Sequence, residues 1–164
     1  MQKLILRVDR IETRLGALVG DNLECKYRER AFSNLGSILR PVRVVSLQDI
    51  LPQLEIHLTE EEVERLLPLD LLLDGRVRHR EAKPEVWLAV EVSGVVDQHD
   101  VERAVERARL LTRAGLPAIP TVAGDDLGEG IARLASEEQV FVLLDGQRLN
   151  WYEALTAVLD GSQA

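Results

Sequence analysis

Two carboxylates on neighbouring apolar segments are where this sequence could do chemistry. Asp70 heads the run Asp70-Leu71-Leu72-Leu73, which reads as a short buried strand stopping at the turn pair Asp74-Gly75. Glu91 falls late in Glu85 to Val96, where Val86, Leu88, Val90 and Val92 alternate with Trp87, Ala89, Glu91 and Ser93. Paired as a hairpin, the two strands bring Asp70 and Glu91 to the mouth of one sheet. Burying two carboxylates there is unfavourable unless a cation or a donor compensates them. A divalent ion is the simplest compensation: Mg2+ or Mn2+ takes oxygen ligands, and two carboxylates plus a backbone carbonyl leave octahedral positions for water and a phosphate oxygen. The plainer reading makes them edge-of-strand carboxylates near arginines.

Arg103 and Arg107 lie four residues apart on the next helical stripe. Like charges at that spacing repel, so an acidic site or a phosphate facing them would explain the pair; solvated pairing with Glu102 and Glu106 is the alternative. Lys26, close to Glu24, is a weaker candidate cation.

The elements that must position these groups follow from pattern. Leu4, Val8, Ile11, Leu15 and Leu18 recur at spacings of four and three, a seam of two heptads that either joins a dimer interface or packs on the domain. Asn22 to Leu39 continues as helix through Leu23, Tyr27, Ala31, Leu35 and Ile38 until Pro41. Val42 to Val45 reads as a strand, followed by an unassigned stretch to Leu58. Thr59 and Glu62 form a capping box that opens a helix through Val63 to Leu67, and Pro68 closes it. Asp97 caps a helix carrying Val101, Ala104, Val105, Ala108 and Leu111, which Gly115 and Pro117 end. Ala118 to Val122 and Val140 to Leu144 are strands around a turn, Gly124 to Gly130, and a helix from about Glu129 to Glu137. Trp151 to Leu159 is a closing helix ended by Asp160-Gly161.

Composition narrows the classes. The 164 residues, 46% hydrophobic and 29% charged, suit one soluble domain with a single sizeable core. No apolar run approaches the roughly 20 residues of a membrane span, and the start lacks a signal-peptide pattern, so a cytoplasmic protein is expected. A net charge of -8 argues against nucleic-acid binding by bulk electrostatics, though not against a local basic patch. Cys25 is expected half-buried on a helix, and His57, His79 and His99 on the surface without metal-ligand spacing. Gly124-Asp125-Asp126-Leu127-Gly128-Glu129-Gly130 lacks the Gly-Lys-Ser/Thr end of a phosphate-binding loop.

The pair Asp70-Leu71-Leu72-Leu73-Asp74-Gly75 and Val86-Trp87-Leu88-Ala89-Val90-Glu91-Val92-Ser93 resembles the signature of the PD-(D/E)xK nuclease superfamily. The helix Asp100-Val101-Glu102-Arg103-Ala104-Val105-Glu106-Arg107-Ala108 is similar to that of a bacterial group joining an N-terminal coiled coil to this domain. The resemblance covers about Leu18 to Gly146. It implies an α/β fold with a restriction-endonuclease-like core, a mixed central sheet flanked by helices. Residues 1–20 would be the coiled-coil-like extension and 21–164 the nuclease-like domain. It also implies metal ligation by Asp70, Glu91 and the Val92 carbonyl, with Glu24 as a helical acid. Two departures stand out: Pro68 is one residue early for a Pro-Asp pair, and Ser93 replaces the usual lysine, which a neutral hydroxyl substitutes poorly. The implied activity is Mg2+- or Mn2+-dependent cleavage of DNA, with Arg103 or Arg107 offsetting developing charge. The alternative keeps the fold as a non-catalytic dimeric interaction module assembled through the N-terminal helix.

Overall fold

The structure, a computed structural model, describes Leu18, residues 21–145 and residues 147–162. The heptad positions Leu4, Val8, Ile11 and Leu15 lie outside the described residues, and Leu18 is helical and exposed. Helix α1 (residues 21–29) and the short α2 (Ala31–Leu35) precede strand β1 (Leu39–Val44). Then follow α3 (Leu47–His57), α4 (Glu60–Leu66), β2 (Leu71–Val77), β3 (Glu85–Val96), α5 (Gln98–Arg113), β4 (Ala118–Leu127), α6 (Ile131–Glu137), β5 (Phe141–Leu144), β6 (Gln147–Leu149) and α7 (Trp151–Ser162). The fold is α/β with a mixed six-stranded sheet whose spatial order is the sequence order, β1 to β6. β1, β2 and β3 are antiparallel, α5 and α6 cross over to make β3, β4 and β5 parallel, and β6 turns back antiparallel on β5.

The alternation in β3 divides the core as the sequence pattern requires. Val86, Leu88, Val90 and Val92 meet Leu23 and Tyr27 of α1, Leu35 of α2 and Leu155 of α7 on one face. Trp87 and Ala89 meet Leu54 of α3, Leu66 of α4 and Leu111 of α5 on the other. Both expected N-terminal caps are present. The Thr59 hydroxyl accepts from Glu62 N at 3.2 Å while Glu62 accepts from Thr59 N at 3.0 Å, and Asp97 and Asp100 exchange the same two bonds across the start of α5.

Several expectations are corrected. The helix expected from Asn22 to Leu39 is two, α1 and α2, broken at Arg30 and over by Leu35, and β1 begins at Leu39, before Pro41, because β1 is an edge strand where a residue without N–H costs no ladder bond. The unassigned stretch is α3: Ser46 caps it by accepting from Gln48 N, and Leu47, Ile50, Leu51, Leu54 and Leu58 form its apolar stripe around Pro52. Asp74-Gly75 is no turn. Asp74 is buried in mid-strand, gripped by Arg43 at 2.7 and 2.9 Å, and a Cβ on Gly75 would stand 2.8 Å from the Pro41 carbonyl oxygen of the adjoining strand. β4 continues to Leu127, through the first half of the expected turn, α6 starts at Ile131, and α7 runs through Asp160-Gly161 to Ser162. Cys25 is exposed rather than half-buried.

Candidate active site at the end of β2 and β3

The β2–β3 ladder ends with Leu71 opposite Val90. Carrying that register one residue further sets Asp70 opposite Glu91, and directly opposed side chains of an antiparallel pair share a face about 5 Å apart. Past Leu71, β2 no longer supplies acceptors, and the Asp70 carboxylate takes over: its Oδ2 accepts from Val92 N at 2.8 Å. In an antiparallel ladder one residue offers its N–H and C=O to the same neighbour, so the Val92 carbonyl is directed to the same gap beyond β2. The strand end thus gathers two carboxylates and a backbone oxygen.

Glu91 is 2% exposed. Burial pushes its carboxyl from 4.5 up to about 7; Arg107 pulls the other way, and Asp70 adds to the rise both by its charge and as hydrogen-bond acceptor for the protonated Glu91. Arg107, inward on α5, forms an ion pair with Glu91 Oε1 through Nη1 and donates from Nε to the Arg65 carbonyl at 3.0 Å. That carbonyl lies in the last turn of α4, where helical oxygens lack intrahelical donors. Arg65 bonds Glu106 at 2.7 Å, and Arg113 pairs with Glu62, so α4 and α5 are clamped on either side of Arg107.

Glu24 reaches the site from α1. Burial raises its pKa, the Asp70 carboxylate raises it further, and Arg28 at 2.9 Å opposes both. A cleft of about 450 Å3 opens beside Asp70, lined by Arg28, Ser46, Leu47, Asp49 and Leu67. Asp70 and Asp49 are the acids lining this cleft, and Glu91, 2% exposed, is buried against Arg107.

The structure brings together Asp70, Glu91, Val92, Arg107 and, by electrostatic contact, Glu24. Ser93 is half-buried two residues beyond Glu91 on the same face of β3, about 6.6 Å along the strand. Arg103 is separated from Arg107: it is exposed and bonds Asp100 at 2.5 Å within its own helix. Lys26 turns to Asp145 at 3.7 Å. The expected partners of the arginines are likewise redistributed, Glu106 to Arg65 and Glu102 to Gln98 and His99. His57, His79 and His99 are exposed. Among the described residues no group of three or more His, Cys, Asp or Glu side chains stands in an arrangement that could hold a metal ion as it is. Two contributors escaped sequence reasoning. Arg28 carried a readable signal, four residues after Glu24; the Arg65 carbonyl carried none, because only the packing of α4 on α5 makes it an acceptor.

No family model, curated protein or solved structure matches the chain. No helix among the described residues is long and apolar enough to cross a membrane.

Proposed function

We propose that this chain is a metal-dependent phosphodiesterase that cleaves DNA, a variant of the PD-(D/E)xK design in which Arg107 serves as the cation that Ser93 cannot be. The observation that carries the reading is the meeting of Asp70 and Glu91 across the end of one ladder, with the Val92 carbonyl directed to the same gap. The order of elements supports it as well. Helices α1 and α2, the antiparallel strands β1, β2 and β3 with α3 and α4 inserted between the first two, the crossover helix α5 and the parallel strand β4 follow the order expected of a restriction-endonuclease-like core, with α6, β5, β6 and α7 beyond it.

The donors suit Mg2+ or Mn2+ by their chemistry: all are oxygens, and the Asp70 carboxylate raises the proton affinity of Glu91 in a way a cation would reverse. Asp70, Glu91 and the Val92 carbonyl would hold such an ion, with Glu24 nearby, and the ion would acidify a water and stabilise charge on a phosphate. The protein's own contribution is orientation. The Val92 amide fixes Asp70, and Arg107, anchored on the Arg65 carbonyl, presents a permanent positive charge beside Glu91.

A second reading, a non-catalytic dimeric interaction module, draws on the Arg107–Glu91 ion pair, which already neutralises one acid, and on Ser93. Titration of Mn2+ into the wild type and an Asp70→Asn/Glu91→Gln variant, with nicking of supercoiled plasmid, separates the two. Binding and nicking lost together in the variant support the phosphodiesterase. A wild type that binds no Mn2+ sinks it and leaves the module.

A further inference from the structure

Helix α1 separates two clefts. At 3.6 residues per turn Leu23 and Tyr27 point into the core, Glu24 and Arg28 flank them on the Asp70 side, and Lys26 and Arg30 flank them on the other. On that other side lies a polar cleft of about 240 Å3, bounded by Lys26, Arg30, Ser33, Ser37, Asp145 and Arg148. Three cations face one acid. Lys26 approaches Asp145 at 3.7 Å, whereas the Arg30 side chain has no ion-pair or hydrogen-bond partner among the described residues. Arg148 donates from Nη1 to Ser37 Oγ at 2.6 Å and more weakly to the Asn34 carbonyl, which leaves Nε and Nη2 open. Two guanidinium groups with free donors above serine hydroxyls make a setting for a phosphate, whose geometry guanidinium matches.

Its position connects it to the acidic site. Ser93 is paired with Gly124, and Gly124 with Leu144, so Asp145 and the cleft stand at the same end of the sheet as Glu91, two strands away. Asp70 itself is on the β2 side, three strand spacings or about 14 Å from β5, and one strand of B-form DNA rises about 3.4 Å per phosphate, so a strand entering at Asp70 reaches the basic cleft within about four nucleotides. A chain with net charge -8 needs such a local cationic foothold to retain a polyanion.

We infer that the cleft of Lys26, Arg30 and Arg148 is a phosphate-binding subsite that holds the backbone of a DNA strand whose neighbouring phosphates lie at Asp70. It rests on the reading of Asp70 and Glu91 as a phosphodiester-cleaving site, and its test runs without metal so that the two can fail separately. Fluorescence anisotropy of a labelled oligonucleotide, single-stranded and duplex, is measured against salt in EDTA for wild type, Arg30→Ala, Arg30→Ala/Arg148→Gln and the α6 control Arg133→Ala. The double variant binds more weakly, and its salt slope falls by about 1.4 on the single strand or about 1.8 on the duplex, two phosphate contacts' worth. The exposed Arg30 alone gives half that change, and Arg133→Ala gives none. Slopes equal to wild type in both arginine variants, or a wild type that binds no oligonucleotide, overturn the subsite. Arginine-dependent strand binding without Mn2+ binding upholds the subsite and removes the phosphodiesterase reading instead.

Discussion

Asp70 stands opposite Glu91 one residue beyond the last β2–β3 pair, and the same Asp70 carboxylate accepts the Val92 amide at 2.8 Å. One side chain therefore both terminates the ladder and sets the electrostatics of its neighbour. Glu91 has two opposed influences within reach, the anion of Asp70 and the cation of Arg107, in a site from which water is nearly excluded. That balance makes the ionisation of Glu91 visible in the stability of the protein.

In EDTA, stability should decline from mild acid to mild alkali. Glu91 holds its proton more tightly folded, near 7, than unfolded, near 4.5. Its contribution is thus complete below pH 4.5 and is lost as pH rises through about 7. The difference is on the order of 3 kcal/mol. Urea unfolding of wild type and Glu91→Gln across this window should show the decline in the wild type and a flatter profile in the variant; parallel profiles refute the assignment.

Removing Arg107 should have an effect that depends on pH in the same window. Above pH 7, Arg107→Ala leaves an uncompensated buried carboxylate, for a loss of about 3–5 kcal/mol. Near pH 5 Glu91 takes up a proton, and the loss shrinks. Arg107→Lys, a single ammonium in place of a fork, cannot serve both oxygens and should fall between. Chemical denaturation of the three proteins at the two pH values checks this, and equal losses at both would mean that Glu91 is not the group Arg107 supports.

The juxtaposition of Asp70 and Glu91 was legible in the sequence because strand alternation is local information, whereas the Val92 carbonyl entered only as what the family resemblance implies. Both capping boxes were legible for the same reason. What misled were residues whose local meaning is overridden by a neighbour distant in sequence. Asp74-Gly75 has the chemistry of a turn, yet Arg43 satisfies the aspartate and the Pro41 carbonyl requires the glycine, both from β1. Pro52 disguised α3, whose apolar stripe was otherwise present. Arg103 and Arg107 are equivalent by spacing, but Arg103 bonds Asp100 within its own helix while the packing of α5 on β3 brings Arg107 to Glu91.

Gly124 tests how tightly the sheet closes beside Ser93. A Cβ at Gly124 would stand 2.1 Å from the Ser93 carbonyl oxygen, a backbone atom with no side-chain freedom to retreat. Gly124→Ala should therefore part β3 from β4 at this end, at a cost of roughly 1–3 kcal/mol. Calorimetry should register a Tm lower by about 2–4 °C per kcal/mol, and an unchanged Tm would show that the strands are not held this close.

Tyr27 ties α1 to the strand ends between the two clefts, since its hydroxyl lies 2.9 Å from the Gly124 carbonyl and 3.3 Å from that of Leu143. Tyr27→Phe keeps the ring in the core and removes only the donor, which the nearer Gly124 carbonyl loses. The global loss should be modest, about 1 kcal/mol. Because Glu24 and Lys26 are carried on the same helix, the local effect should be broader: faster amide exchange along α1, with weaker binding of Mn2+ and of oligonucleotide in the same variant. Hydrogen exchange paired with both titrations decides it. Faster exchange in α1 with both affinities intact would show that the helix does not hold the two clefts in place.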